Sequence, residues 1–165
     1  MAEYRTELRR ALPAESDTLS LGRALAAGIA PGLVIYLIGE LGAGKTTLAR
    51  GLLRGLGYSG KVKSPTYTLV EVYEVSRLYL YHFDFYRITG SQKPQELGDA
   101  GLREYFNPQS VCLVEWPDKA AALPAADLSV VLETVSSGRQ ATIFANSEAG
   151  AQCLKSLKAK PQIPP

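Results

Sequence analysis

Histidine, methionine and tryptophan each occur once in the 165 residues, and cysteine occurs twice. A single histidine excludes a histidine-rich metal site and any relay of protons between imidazoles. Cys112 and Cys153 form no zinc-ligand spacing, and two thiols are too few for a disulfide framework. Cys112 lies inside an apolar run and reads as a small core residue, while Cys153 falls near the C-terminal end. Long apolar stretches are also missing. The longest, Leu33 to Ile38, is far short of the roughly 20 residues of a membrane span, so no membrane association is expected. The first residues, Met1-Ala-Glu-Tyr-Arg5, mix charges and lead into no apolar segment, so no secretory leader is expected and the cytoplasm is the default location. Charge of one sign is lacking too. Eighteen Lys and Arg against 16 Asp and Glu leave a net +2, which neither demands nor excludes a nucleic-acid partner.

What is present is an ordinary globular composition, 46% hydrophobic and 21% charged. The length predicts one domain over residues 1–150, with residues 151–165 as a lysine-bearing, proline-ended tail expected to fray. The pattern predicts a helix from Ser16 to Ala27, with Ser16 or Asp17 as its cap. Leu33 to Ile38 then reads as a central strand covered on both faces. A glycine-rich loop leads to a second helix, Lys45 to Leu56, closed by Gly57. Thr66 to Val75 and Leu78 to Arg87 alternate as two strands joined at Ser76-Arg77, and their tyrosines suit cross-strand pairing. A weakened helix is expected over Gln95 to Phe106, and a buried strand over Val111 to Val114. A closing hairpin runs from Leu128 to Thr134 and Gln140 to Ala145, around Ser137-Gly138. Interleaved strands and helices predict an α/β fold: a three-layer sandwich with a short parallel core extended by antiparallel hairpins.

Gly39-Glu40-Leu41-Gly42-Ala43-Gly44-Lys45-Thr46 fits G-x-x-x-x-G-K-[ST], and it lies between a buried strand and a helix as that pattern requires. Glycines let the backbone turn its amides inward onto phosphate oxygens. The helix beginning near Lys45 adds its positive end. Lys45 supplies a mobile charge for the β- and γ-phosphates, and the Thr46 hydroxyl is suited to Mg²⁺. The expected ligands are therefore ATP and Mg²⁺. ATP is favoured over GTP because no [NT]-K-x-D guanine-reading tetrad is present.

A magnesium site needs an acid at the end of a buried strand, and Glu115 follows four apolar residues as such an acid. Asp84 also ends an alternating stretch, where it could reach the metal or orient a water. The alternatives are solvated or hairpin-pairing carboxylates. Lys63-Ser64-Pro65-Thr66-Tyr67 is either a γ-phosphate sensor or a proline turn that opens a strand. His82 reads as a core or hydrogen-bonded residue, and Trp116 as packing or as a neighbour of the nucleotide. Arg50, Arg54, Lys61 and Lys63 form a basic cluster, either a solvated face or a docking site for RNA or an acidic partner.

Together these segments resemble the TsaE (YjeE) family of small bacterial P-loop ATPases. The matching pieces are Gly39 to Thr47, Val62-Lys-Ser-Pro-Thr-Tyr-Thr-Leu-Val70, His82-Phe-Asp-Phe-Tyr-Arg87, Glu96-Leu97 with Gly101, and Cys112-Leu-Val-Glu-Trp-Pro117. The Ser-Pro-Thr-Tyr-Thr-Leu-Val and His-Phe-Asp-x-Tyr-Arg segments carry the resemblance, since the loop alone is shared by many proteins. The resemblance implies an ATPase of tRNA threonylcarbamoyladenosine formation that acts beside TsaD and TsaB and meets tRNA through that complex. It implies nucleotide contacts from Gly39 to Thr47, from Trp116, and from Glu15, Gly138 and Arg139. It further implies Mg²⁺ ligands at Thr46 and Glu115, a functionally important aspartate at Asp84, and a switch-like threonine at Thr66. Phe85 departs from the family's usual leucine, and residues 90–93 and 98–100 also differ from its pattern.

Two rival readings stay open on the residues alone. One is a small-molecule kinase with Asp84 as base. The other is a nucleotide-gated binding module in which hydrolysis is incidental.

Overall fold

The computed structural model describes residues 6–65, 68–76, 78–87, 102–120 and 122–159. Its frame is one seven-stranded sheet. In chain order the strands are β1 (Thr6–Leu12), β2 (Val34–Ile38), β3 (Val70–Val75), β4 (Leu78–Asp84), β5 (Ser110–Glu115), β6 (Leu128–Val135) and β7 (Gly138–Ala145). Across the sheet they run β1-β7-β6-β2-β5-β4-β3. The apolar β2 lies at the centre, parallel to β5 and β6, and β4 is parallel to β5. The pairs β3–β4, β6–β7 and β1–β7 are antiparallel. This is the short parallel core with antiparallel extensions that the alternation predicts, because only doubly covered strands can be apolar throughout. All six residues of β5 are buried.

Successive residues of the core strands serve opposite faces of the sheet. Ile35, Leu37, Leu80, Val111 and Leu113 join the cluster that holds α1 (Glu15–Ala26), α2 (Lys45–Gly55) and α3 (Glu148–Ala159). Phe83, Cys112 and Val114 join the other, where Tyr105 and Phe106 pack on Phe83. Helices α1 and α2 cross closely through glycines, among them Gly22 and Gly51. A methyl group on Gly22 would meet the Leu48 carbonyl, and one on Gly51 would meet the Leu19 carbonyl. Helix α2 ends as expected. Gly57 has φ +96°, its N–H donates to the Arg54 carbonyl at 3.1 Å, and Tyr58 N–H donates to the Leu53 carbonyl at 2.9 Å. Among the described residues no helix is long and apolar enough to cross a membrane.

Four expectations change. Strand β1 is an edge strand that the pattern did not reveal, because Glu7, Arg9 and Ala11 face solvent and only Leu12 is buried. Helix α1 starts from Ala14 rather than Ser16 or Asp17. Pro13 brings the chain in, Ala14 is extended, and the Asp17 carboxylate reaches back to accept its N–H at 2.8 Å. The predicted tail is helical to Ala159. Ser147 caps α3, its Oγ accepting Gly150 N–H and donating to Asp127, and Cys153, Leu154 and Leu157 enter the core. Residues 160–165 lie outside the described residues, as do 95–101 of the helix predicted over Gln95–Phe106; Arg103–Tyr105 forms a 3-10 turn. Strand β3 begins at Val70, because Leu69 adopts a left-handed φ of +67°, and β4 stops at Asp84.

Candidate active site

The loop between β2 and α2 has the backbone its glycines suggest. Gly42 and Gly44 take φ of +77° and +106°, and Gly44 caps α2. Conformations of this kind turn successive amides toward one side, as anion recognition requires. Lys45 opens the helix and is buried. Its ammonium folds back on its own loop, donating to the Gly39 carbonyl and to the Glu40 carbonyl at 3.2 Å. Burial lowers its pKa, and the charges of Glu115, Asp84 and Glu40 oppose that shift. Thr46, half-buried, follows on the first turn of α2, while Glu40 and Leu41 are exposed.

The two acids come together by strand register. Asp84 is the direct partner of Glu115 on parallel neighbours β4 and β5, and both are buried at the C-terminal ends of those strands. They share the sheet face that α2 covers, since Leu80 and Leu113, in phase with them, pack there. Asp84 Oδ1 accepts the Tyr86 N–H at 2.9 Å. Glu115 Oε2 lies 2.6 Å from His82 Nε2, so the histidine is the hydrogen-bonded residue that its position on the strand suggests.

Trp116 leaves β5 with φ +56°, which places its ring under the Lys45 ammonium, 4.4 Å from the ring centre. Tyr86 packs against the same ring, and the Lys119 ammonium lies over both aromatics.

Beside the loop is a cavity of about 300 Å³, lined by Glu15, Thr47, Gly138 and Arg139 together with Leu12 to Ala14 and Thr18. Arg139 donates to the Gly42 carbonyl at 2.6 Å and so ties the β6–β7 hairpin to the loop. Gly138 is confined twice over: its φ is +127°, and a methyl group there would meet Pro13 at 2.8 Å. The cavity wall from Leu12 to Ala14 escaped the sequence reading because it hangs on β1. Thr18 escaped it because a threonine inside a helix carries no motif.

The structure thus brings together Lys45, Asp84, Glu115 and Trp116, with Thr46 next to Lys45 on the first turn of α2, and sets Glu15, Thr47, Gly138 and Arg139 around the adjacent cavity. Thr66 lies outside the described residues. The basic cluster is partly spent on structure: Arg50 pairs with Glu15 at 3.0 Å, and Arg54 donates to the Tyr58 and Gly60 carbonyls.

Among the described residues no group of three or more His, Cys, Asp or Glu forms a metal cage. A hydroxyl and carboxylates beside a phosphate-binding loop suit Mg²⁺, which is usually held by one or two carboxylates together with substrate phosphates.

The family model described as "Threonylcarbamoyl adenosine biosynthesis protein TsaE" matches residues 12–141. The chain is similar to the tRNA threonylcarbamoyladenosine biosynthesis protein TsaE of Haemophilus influenzae, 44% identical over 126 residues, which are 76% of this chain and 78% of that one. It is similar to the Bacillus subtilis protein of the same name, 42% identical over 71% of this chain and 72% of the relative. The crystal structure of Bacillus subtilis YdiB superposes with a TM-score of 0.74 at 33% identity, covering 93% of this chain and 94% of that one.

Proposed function

The chain belongs to the TsaE family, whose place is in tRNA threonylcarbamoyladenosine biosynthesis, and from that premise we propose that it binds ATP with Mg²⁺ and hydrolyses it slowly, in support of TsaD and TsaB. The observation that carries this reading is the convergence of Lys45 with the register-paired Asp84 and Glu115 on one side of the sheet.

In this reading the loop amides from Gly39 to Thr46 donate to phosphate oxygens. Lys45 exchanges the Gly39 and Glu40 carbonyls for phosphate, which restores the charge that burial disfavours. Thr46 and Glu115 would hold Mg²⁺, which when bound offsets the charge that grows on the transferred phosphoryl group. Asp84 holds the attacking water or the metal, its orientation set by the Tyr86 N–H. The cavity beside Arg139 receives the nucleoside. The aromatic floor of Trp116 and Tyr86 limits water around Lys45 and strengthens its field. In this family reading the transfer step on tRNA adenosine belongs to the partners, and tRNA is met through them.

The test is ATP turnover with and without TsaD and TsaB. Slow hydrolysis alone, acceleration by the partners, and loss of both in Lys45→Ala are expected. Full turnover in Lys45→Ala would overturn the site assignment. Phosphoryl transfer to a metabolite without any partner effect would favour a kinase instead.

A further inference from the structure

The nucleotide reading leaves the chain's sole histidine without a task. His82 is fully buried, two residues before Asp84 on the same face of β4. Its direct register partner on β5 is Leu113, yet its Nε2 bonds diagonally to Glu115 Oε2 at 2.6 Å. A carboxylate accepts, so the ring donates to it through Nε2–H. Among the described residues Nδ1 is buried with no hydrogen-bond partner. A buried polar nitrogen without a partner is a cost that an apolar side chain would avoid. The ring is therefore explained by what Nε2 does rather than by packing.

The register defines the problem that Nε2 solves. Asp84 and Glu115 are direct partners on adjacent strands, and like charges so placed repel. Each is held by a different donor: Asp84 Oδ1 by the Tyr86 N–H, Glu115 Oε2 by the His82 ring. The bond thus ties Glu115 Oε2 to the residue two positions before Asp84 on β4.

We propose that His82 is a positioning residue. Its Nε2–H fixes Oε2 of Glu115, sets the plane of the carboxylate and leaves Oε1 to the divalent cation of the metal–nucleotide substrate. This inference rests on the Mg²⁺–ATP reading above. No proton moves in it, and its effect falls on the metal-dependent part of nucleotide binding alone. Groups that orient a metal ligand in this way are typically worth 10- to 100-fold in metal affinity.

The test is calorimetric titration of the full chain with the non-hydrolysable analogue AMPPNP, in EDTA and across a series of Mg²⁺ concentrations. For His82→Leu, the EDTA affinity stays within about twofold of wild type, while the Mg²⁺ concentration for half-maximal enhancement rises about tenfold. His82→Gln, which places an amide N–H near the position of Nε2, recovers most of that loss. Unchanged Mg²⁺ dependence in His82→Leu overturns the positioning role, as does an equal fall in EDTA and in Mg²⁺, which marks a general structural effect. Should His82→Leu fail to fold, His82→Asn, whose amide stops short of Nε2, takes its place with the same expected loss and the same refuting results. If AMPPNP fails to bind wild type, or Mg²⁺ has no effect on its binding, the nucleotide reading itself fails and this inference falls with it.

Discussion

The Lys45 ammonium lies 4.4 Å from the centre of the Trp116 ring, and Trp116 is the chain's only tryptophan. Drawing Lys45 toward a phosphate would remove a cation from the face of the sole indole. Tryptophan emission is therefore expected to change saturably with ATP, with no nucleotide-dependent change in Lys45→Ala. ATP binding by calorimetry with no change in wild-type emission would contradict the assigned path of the lysine.

The paired acids separate by their metal dependence. Glu115→Gln keeps the shape and removes the charge, so it is expected to slow hydrolysis about a hundredfold and to raise the Mg²⁺ requirement. Asp84→Asn keeps an oxygen for the Tyr86 N–H. If Asp84 orients water, kcat falls by a similar factor at an unchanged Mg²⁺ requirement; if it binds metal, both move. Steady-state kinetics across a Mg²⁺ series decides, and hydrolysis unaffected in both variants would remove these acids from the site.

Packing of α1 on α2 makes a prediction against helix propensity. Alanine exceeds glycine by roughly 1 kcal/mol inside a helix. A methyl group on Gly51 nonetheless collides with the backbone carbonyl of Leu19. Overpacking of this kind costs about 1–3 kcal/mol, so Gly51→Ala is expected to be net destabilising and Gly51→Val more so. Urea unfolding measures both, and a stabilised Gly51→Ala would show that the helices can separate cheaply.

Burial raises the thiol pKa of Cys112 to about 12 and of Cys153 to about 11, against 9.0 for an unburied thiol. Both thiols should resist thiol-specific reagents in the native state and react on unfolding. The sign of the pH effect follows from linkage. Above pH 9.0 the unfolded chain loses thiol protons that the folded chain keeps, so stability falls as pH rises from 9.0 toward 11 and 12. The slope is about 1.4 kcal/mol per pH unit for each thiol. Cys112→Ala, compared with wild type by urea unfolding at pH 8 and 10, should flatten that slope; an identical slope would exclude Cys112 as its source.

What could be read in the sequence was what a local pattern specifies. Gly39 to Thr46 declares itself because phosphate recognition dictates glycine and lysine positions, and Glu115 because four apolar residues precede it. Asp84 and both hairpins follow from alternation. Strand β1 stayed hidden because an edge strand takes its order from β7 and needs only one buried residue, Leu12. Helix α3 did carry a signal, Gly150, Cys153, Leu154 and Leu157 at helical spacing, which the interspersed lysines masked. The cavity wall from Leu12 to Ala14 depends on both hidden facts of β1, its existence and its register. The bond from His82 to Glu115 is diagonal across two strands, a relation that no spacing along one strand encodes.

Pairing of β1 with β7, with Leu12 opposite Arg139, has a consequence for the making of the chain. The loop and its lysine emerge from the ribosome early, but the cavity beside them is walled by residues on both sides of that late pairing. A nascent chain that already displays the whole loop, and has yet to complete β7, would have the loop of the proposed nucleotide site without the cavity beside it. Such long-range pairings form slowly compared with local ones. Nucleotide occupancy would thus be reserved for finished molecules, and partial products would carry the signature of the site without its capacity.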